Sequence, residues 1–298
     1  MQISRTIVET NDLDAYPALE RALGWTSEKA QLSDGAGTYR YHEITVGEIT
    51  IWRYHAPHRL YHSYEIDGGL LDFILFRDSA GTVWSGYELP PSASLIQRPG
   101  GSYWATTPAD TVLHGLYLRK ELARKFVLTQ EPPSKEPTSL KSDILIGTAF
   151  EIKRLHDHLD HVLNLTADEV SSPAFETEQV HERLVVALQR FLDVCIPSTQ
   201  VGSGSTALPR RDLVDEARSL IADRIEGPLS AADLAEGLSV SQRVLELGFR
   251  DVLGMGPYHF ILNQKLNAAR RMLMRQQTSV RAVCDMYGFV NAGRFAEM

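Results

Sequence analysis

Between positions 241 and 250 the sequence groups side chains that could bind a charged, patterned surface. Guanidinium groups can donate to phosphates and base edges, a carboxylate can accept from an amino group, and leucine can contact a methyl group. On a helix, Arg243, Leu247 and Arg250 would share one face. The candidate set combines that face with the residues that begin the helix: Ser241, Gln242, Arg243, Glu246, Leu247 and Arg250.

Two short helices are predicted to position this set. Ser241 suits the start of the second helix, because its hydroxyl can accept from a free amide of the first turn. Ser230, with Asp233 three residues later, suits the start of the first helix, which we expect Gly237 to end in the left-handed conformation. The far face of the second helix must pack through Leu245, Phe249 and Val252. This pattern predicts a helix-turn-helix, whose second helix enters the major groove of DNA.

A second unit of the same kind is predicted beyond a long connector. Pro257 suits the start of a helix that can run to about Arg275, a length of about 28 Å. Because the repeat of B-DNA is about 34 Å, one rigid connector could set two recognition helices in successive major grooves, with some bending of the DNA. In the second unit Asn291 is the expected N-cap and Arg294 the expected DNA contact.

The last 90 or so residues resemble the DNA-binding domain of the AraC/XylS family of bacterial transcription regulators. The matching residues are Leu234, Ala235, Ser241, Leu245, Phe249, Gly254, Pro257, Lys265, Leu266, Ala269, Arg270, Leu273, Val280, Val283, Gly288, Phe289 and Phe295. The resemblance implies two helix-turn-helix units, a cupin-like β-barrel that binds a small-molecule effector, and no enzymatic activity. It also implies double-stranded DNA and a second copy of the chain as partners, with RNA polymerase as a further candidate.

Two departures from the family pattern limit what the resemblance implies. Family members often carry a basic residue at the position of Leu247 and a polar or basic one at Glu246, so the operator sequence does not transfer. Leu247 could contact a thymine methyl and Glu246 could accept from a cytosine amine. The family pattern also continues some twenty residues past Met298, so we expect the second unit to be incomplete in this sequence.

The N-terminal half is rich in predicted strands. Between residues 37 and 118, short apolar or alternating runs are separated by Gly and Pro, which favours a sandwich or barrel. The predicted fold class is α+β: a cupin-like β-barrel with flanking helices, then an all-α domain with two helix-turn-helix units, the second truncated. The segments 43–54 and 96–101 loosely resemble the ethanolamine-operon regulator branch. The predicted domains are 1–197, a linker at 198–209 rich in Gly, Ser and Thr, and 210–298.

Aromatic residues of the strand-rich region form the candidate effector site. Aromatic walls with a few polar groups suit a small-molecule pocket, although each such residue also suits an ordinary core. Arg98 could pair with an anionic ligand or simply cap its loop. The candidate residues are Trp52, Tyr54, Trp84, Arg98 and Trp104.

A metal-dependent cupin enzyme with an accessory helical domain is the alternative function. Cupin enzymes use a His-x-His pair, and the strand-rich region has none; His55 and His58 would point to opposite faces of a strand. On the following helix, Asp157 and Asp160 suggest a solvated stripe around the histidines. We therefore expect no metal and no cofactor.

Helices predicted over residues 143–165 and 174–194 carry apolar stripes. They could cover the sheet core, or they could form a two-helix dimer interface, and the prediction is a homodimer.

Charge and cysteine content fit a DNA-binding protein of the cytoplasm. The net charge of −8 is uneven: residues 1–208 hold 18 basic and 27 acidic residues, whereas residues 209–298 hold 12 and 11. The two cysteines, Cys195 and Cys284, suggest a reduced compartment. No apolar run approaches 18 residues and no signal-peptide pattern opens the chain, so we expect a cytoplasmic protein without a membrane partner.

Overall fold

A computed structural model describes most of the chain. The described residues are 3–13, 15, 25–33, 35–66, 70–97, 102–119, 121–123, 144–172, 175–197, 207–275 and 279–289. They form two compact units, the first made of Met1–Lys29, Ser33–Trp84 and Glu88–Val201, and the second of Ala30–Leu32, Ser85–Tyr87 and Gly202–Met298.

The first unit is built on two antiparallel sheets. Their strands are β1 Ile3–Thr10, β2 Trp25–Gln31, β3 Tyr39–Val46, β4 Ile49–Ala56, β5 Leu60–Ile66, β6 Leu70–Phe76, β7 Val83–Trp84, β8 Tyr87–Glu88, β9 Ala93–Gln97, β10 Ser102–Thr107, β11 Thr111–Arg119, β12 Ile144–Ile146 and β13 Ile196–Pro197. The larger sheet has the order β1-β3-β4-β11-β6-β9-β12-β13, and the smaller sheet has the order β2-β5-β10-β7-β8.

Local sequence explains the central hairpin of the larger sheet. The run from Thr45 to Tyr54 contains its turn, because Gly47 adopts a φ of 62° that other residues rarely reach. Strands β3 and β4 pair on either side, with Ile44 opposite Ile51. A register with these two apolar residues opposite each other places both on one face of the sheet.

Helices of the first unit cover that face. These are α1 Ala149–Leu163 and α3 Thr177–Val194, and the short helix α2 Ala167–Ser171 lies between them in the chain. Leu155 and Leu159 of α1, together with Leu188 of α3, pack in one apolar cluster with strand residues such as Ile51 and Phe73. The opposite face of the larger sheet meets the smaller sheet, since the rings of Tyr54 on β4 and His62 on β5 lie 6.3 Å apart.

The described residues of the second unit are mainly helical. Its helices are α4 Ala207–Asp223, α5 Ala231–Gly237, α6 Gln242–Leu253, α7 Pro257–Arg275 and α8 Val280–Tyr287. Helix α4 begins inside the segment 198–209, for which the sequence predicts a linker. Pro209 is compatible with this start because it lies in the first turn, where backbone amides have no helical partner. None of the helices in the described ranges combines the length and apolarity that a bilayer span requires.

The predicted α+β class is confirmed: a sheet-rich N-terminal part with flanking helices precedes a helical C-terminal part. Closure of the two sheets into a barrel stays a prediction.

Candidate functional site

The first helix of the predicted helix-turn-helix is capped as expected. Ser230 Oγ accepts a hydrogen bond from the backbone amide of Asp233 at 3.2 Å, and the Asp233 carboxylate accepts from the backbone amide of Ser230 at 2.8 Å. The Ser230 hydroxyl, which donates to the carboxylate at 2.6 Å, and the Ser230 amide together lower the pKa of Asp233. The reciprocal pair holds the start of α5 in place without help from the rest of the fold.

The turn between α5 and α6 differs from the prediction at one residue. Gly237 does not adopt the left-handed conformation but is the last residue of α5; the left-handed residue is Ser239, with a φ of 56°. Gly237 instead permits close packing, since a Cβ atom there would lie 3.0 Å from Leu220 of α4. The tertiary contact, rather than the turn, accounts for glycine at this position.

Helix α6 has one buried face and one exposed face. Ser241 Oγ accepts from the Val244 amide at 3.3 Å and begins the helix, and Gly254 ends it in the left-handed conformation. The predicted packing residues Leu245, Phe249 and Val252 are buried, and the ring of Phe249 lies 5.7 Å from that of Phe260 on α7.

The predicted contact residues lie together on the other side of α6. Gln242, Arg243, Leu247 and Arg250 are exposed, and Glu246 is half-buried. Arg250 is held by Glu246 one turn away, with Nε donating to the carboxylate at 3.0 Å. Within the described ranges Arg243 forms no ion pair, so its guanidinium is available to a ligand.

Helix α7 connects the first helix-turn-helix to α8, and a buried lysine on α7 binds the backbone on both sides of it. Lys265 Nζ donates to the backbone carbonyls of Gly227, before α5, and of Tyr287, at the end of α8, the latter at 3.0 Å. Burial lowers the pKa of Lys265. Gly227 also donates from its amide to Met286 O at 2.6 Å. The segment before the first helix-turn-helix and the end of α8 are therefore tied together around one amine.

Helix α8, the described part of the predicted second helix-turn-helix, is capped in the same way as α6. Ser279 Oγ accepts from the Ala282 amide at 3.2 Å, and Gly288 ends α8 with a φ of 71°. Asn291 and Arg294, the predicted cap and DNA contact of this unit, lie outside the described residues.

Three of the five candidate effector residues lie between the two sheets. Trp52 packs directly over Gly115, where an added Cβ would lie 2.1 Å from its ring, and its ring centre is 5.7 Å from that of Tyr117. Tyr54 meets His62 of the smaller sheet, as described above. Trp84, opposite Ala105 in register, stacks on Tyr103 at 5.0 Å.

The other two candidates do not join this group. Trp104 pairs with Ser63 and lies next to Tyr103 in the strand, so it points to the opposite face of the smaller sheet, where its ring lies 6.5 Å from that of Tyr61. Arg98 lies outside the described residues.

Polar residues that the sequence reasoning missed share the inner face of the larger sheet. Glu43 is buried and accepts from the Tyr41 hydroxyl at 2.6 Å; burial raises the pKa of its carboxyl group. Gln97, opposite Asp72 in register, is fully buried, and among the described residues neither of its amide atoms has a hydrogen-bond partner. Both lie at inward positions of otherwise apolar strands, and that alternation is the signal that could have found them.

A charged network lies on the other face of the sheet, beneath α1. The predicted solvated stripe is wrong for Asp160: its carboxylate accepts from Arg53 at 2.7 Å, from Arg77 at 2.5 Å and from His114 Nε2 at 2.8 Å. The buried His156 ring contacts His114 as well. Although burial opposes it, the bonds from His114 and Arg53 lower the pKa of Asp160. Asp160 points toward the sheet because Arg53 and Arg77 stabilise its negative charge there.

Arg5 and His42 extend this network across the sheet. Arg5 Nε donates to His42 Nε2 at 2.9 Å, and its Nη1 donates to the carbonyl of Leu165 just after α1 at 2.8 Å. Burial, with the charges of Arg5 and Arg53, lowers the pKa of His42 to about 4. Within the described ranges, no group of three or more His, Cys, Asp or Glu residues is arranged to hold a metal ion.

The capped helix pair, with one packed and one exposed recognition face, defines a DNA-binding helix-turn-helix protein. A family profile described as a helix-turn-helix domain matches residues 234–298. The HTH-type transcriptional regulator ArgR of Pseudomonas aeruginosa is 32% identical over 97 residues, which cover 33% of this chain and 28% of that protein. The match therefore spans less than a third of that relative's length.

Two solved structures extend the comparison. A transcriptional regulator with an AraC-type DNA-binding domain from Chromobacterium violaceum is 33% identical, over 30% of this chain and 80% of its own, with a TM-score of 0.29. The AraC-like activator CuxR aligns over 92% of this chain and 96% of its own with 16% identity and a TM-score of 0.43. By sequence, residues 234–298 of this chain match the helix-turn-helix domain of transcription regulators. Its resemblance to the ethanolamine-operon branch stays a prediction.

Proposed function

We propose that this chain binds specific DNA sequences and changes transcription in response to a small molecule held between the two sheets of its first unit. The observation that carries the proposal is the division of α6 into a fully packed face and an exposed, hydrogen-bonding face within a complete helix-turn-helix. We propose further that the protein is not an enzyme and works in the cytoplasm. Residues 1–197 would act as sensor, 198–209 as linker and 210–298 as the DNA-binding domain.

The proposed DNA contacts follow the exposed face of α6. Arg243 would donate to a base edge or a phosphate, and Gln242 lies beside it at the start of the helix. Glu246 and Arg250, bound to each other, would orient one another toward the groove. In the second helix-turn-helix, Asn291 would be the N-cap and Arg294 would contact DNA.

The length of α7 supports binding at two grooves. Its 19 residues span about 28 Å, slightly less than one turn of B-DNA. Because Lys265 joins the segments that flank both helix-turn-helix units, the two would approach DNA as one body. A modest bend in the DNA would make up the difference in length.

The proposed effector site lies on the inner face of the larger sheet. Trp52, Tyr54 and Trp84 supply aromatic surface, and the buried amide of Gln97 supplies a donor and an acceptor that the protein leaves unused. A ligand that hydrogen bonds there would remove the cost of burying an unpaired amide. Arg98 and Trp104 stay candidates from the sequence alone.

The outer side of the helix pair in the first unit is proposed as a homodimer contact. Phe150, Val186 and Val194 expose large apolar side chains on α1 and α3 although these helices already cover the sheet. Pairing with a second copy would bury them. RNA polymerase is a further candidate partner.

The test of DNA binding compares two arginines of equal charge. Operator fragments selected from random duplexes would be titrated with wild-type protein, with Arg243→Ala and with Arg40→Ala, which removes a surface arginine of β3 that pairs with Glu9. We expect Arg243→Ala to weaken binding by about 1–3 kcal/mol, because a base or phosphate contact is lost, and Arg40→Ala to leave it unchanged. Equal affinity of both variants would remove Arg243 from the interface.

A further inference from the structure

Two large apolar side chains stand exposed on the recognition helix. Val244 is 46% exposed and Leu247 is 40% exposed, whereas Leu245 and Phe249 on the packed face are fully buried. Residues three apart lie on the same side of a helix. Val244 and Leu247 therefore form one apolar stripe, and this stripe lies beside Arg243 on the face that carries the proposed DNA contacts.

The charged groups around this stripe balance one another. Helix α6 carries two arginines, Arg243 and Arg250, and two carboxylates, Glu246 and Asp251. Arg250 is bound to Glu246, and Asp251 is bound to Arg210 of α4. Since this leaves Arg243 as the cation of the helix that has no ion pair within the described ranges, the helix is poorly suited to reading DNA by charge alone.

The chemistry of the major groove offers one partner for an apolar stripe. Among the edges of the four base pairs there, the C5 methyl group of thymine is the apolar feature. Residues three apart are separated by about 4.5 Å along a helix, and successive base pairs by about 3.4 Å along the duplex. A pair of side chains at this spacing can meet methyl groups on neighbouring base pairs.

We infer that Val244 and Leu247 read the methyl groups of two neighbouring thymines in the half-site bound by α6. This inference rests on the proposed function and deepens it, because it assigns the class of base that the first recognition helix selects. Arg243 then fixes the position of the helix, and the apolar stripe rejects base pairs that place an amino group or no methyl group at these steps.

The test replaces thymine by uracil, which removes the methyl group and leaves base pairing unchanged. Operator duplexes would first be selected from a random library with the full chain. Uracil would then replace each thymine of the half-site in turn, and affinity would be measured by titration. We expect about fourfold weaker binding for each of two neighbouring substitutions, the loss that corresponds to one buried methyl group. Uracil outside the half-site should have no effect.

Variants of the stripe assign the effect to its residues. Leu247→Ala and Val244→Ala should each bind the thymine operator more weakly and lose sensitivity to uracil at one position. Ile7→Ala, which removes an even more exposed apolar side chain from β1, should behave as wild type. Full affinity of wild-type protein for the uracil duplexes would overturn the inference. Failure to enrich any duplex in the selection would instead contradict the proposed function, so the two results are distinct.

Discussion

The two units bury charge in opposite ways. Beneath α1 of the first unit, the Asp160 carboxylate meets Arg53, Arg77 and His114, so ionic groups of both signs neutralise one another. In the second unit, the Lys265 amine donates to backbone carbonyls instead. A network of paired ions depends on every member and, through its histidines, on pH. The Lys265 amine instead stabilises the two backbone segments that it joins, the one before α5 and the end of α8.

The largest effect should come from removing the anion of the first network. Asp160→Asn leaves Arg53 and Arg77 beneath α1 without the carboxylate that pairs with them, and we expect the free energy of unfolding of the first unit to fall by about 3 kcal/mol. Asp157→Asn, on the same helix but in an exposed pair with Lys153, should cost less than about 0.5 kcal/mol.

Tryptophan fluorescence in urea measures this unit selectively, since all four tryptophans lie between residues 25 and 104. Equal losses for the two variants would show that the network beneath α1 contributes no more than a surface ion pair.

Acid should lower the free energy of unfolding of the first unit, because His42 takes up a proton. Its pKa is about 4 in the folded chain and 6.5 when unfolded, so the folded state resists a proton that the unfolded state accepts. The contribution of the neutral ring is complete above pH 6.5 and is lost as pH falls toward 4, by up to about 3 kcal/mol.

His42→Gln provides the matched variant, because glutamine can still accept from Arg5 but does not titrate. Urea unfolding at several pH values should give a shallower dependence for this variant than for wild type. The burial that lowers the pKa of His114 to about 4 acts in the same direction and remains in both proteins. Identical pH dependence would contradict a role for His42.

A smaller effect is expected from Lys265→Met in the second unit. The substitution keeps the buried chain but leaves the carbonyls of Gly227 and Tyr287 without a donor, at a cost of about 1–3 kcal/mol. Hydrogen exchange of amides in residues 225–289 would report it, with Lys153→Met as an exposed control. Unlike the first network, this loss should not vary between pH 4 and 6.5. Unchanged protection would mean that the two helix-turn-helix units hold together without the lysine.

The helical half of the fold was predictable because its signals are local. Ser230 and Ser241 each accept from an amide three residues away, and the packed face of α6 repeats at three and four residues, so a short sequence window contains these interactions. Gly237 shows the limit of such reasoning. Its packing against Leu220 involves another helix, and the sequence window suggested a turn instead.

The candidate effector site was only partly predictable. The sequence identified Trp52, Tyr54 and Trp84 as aromatic residues of strands, and the sheets bring them to one interior. Trp104 points the other way because side chains alternate along a strand, which could be read only once the register of β10 was known. Gln97 was overlooked because its place in the alternation of a short strand, opposite Asp72, is what marks it as inward.

The sequence by itself determined where the helices of the second unit begin, which of their faces pack, and that residues 234–298 match a helix-turn-helix domain. These properties follow from contacts within one or two turns of helix and from the spacing of a known pattern. Only the tertiary structure decided that Asp160 meets Arg53 across 107 positions, and that Lys265 joins Gly227 to Tyr287. Such pairings depend on strand order and helix packing, which bring distant residues together through the whole core.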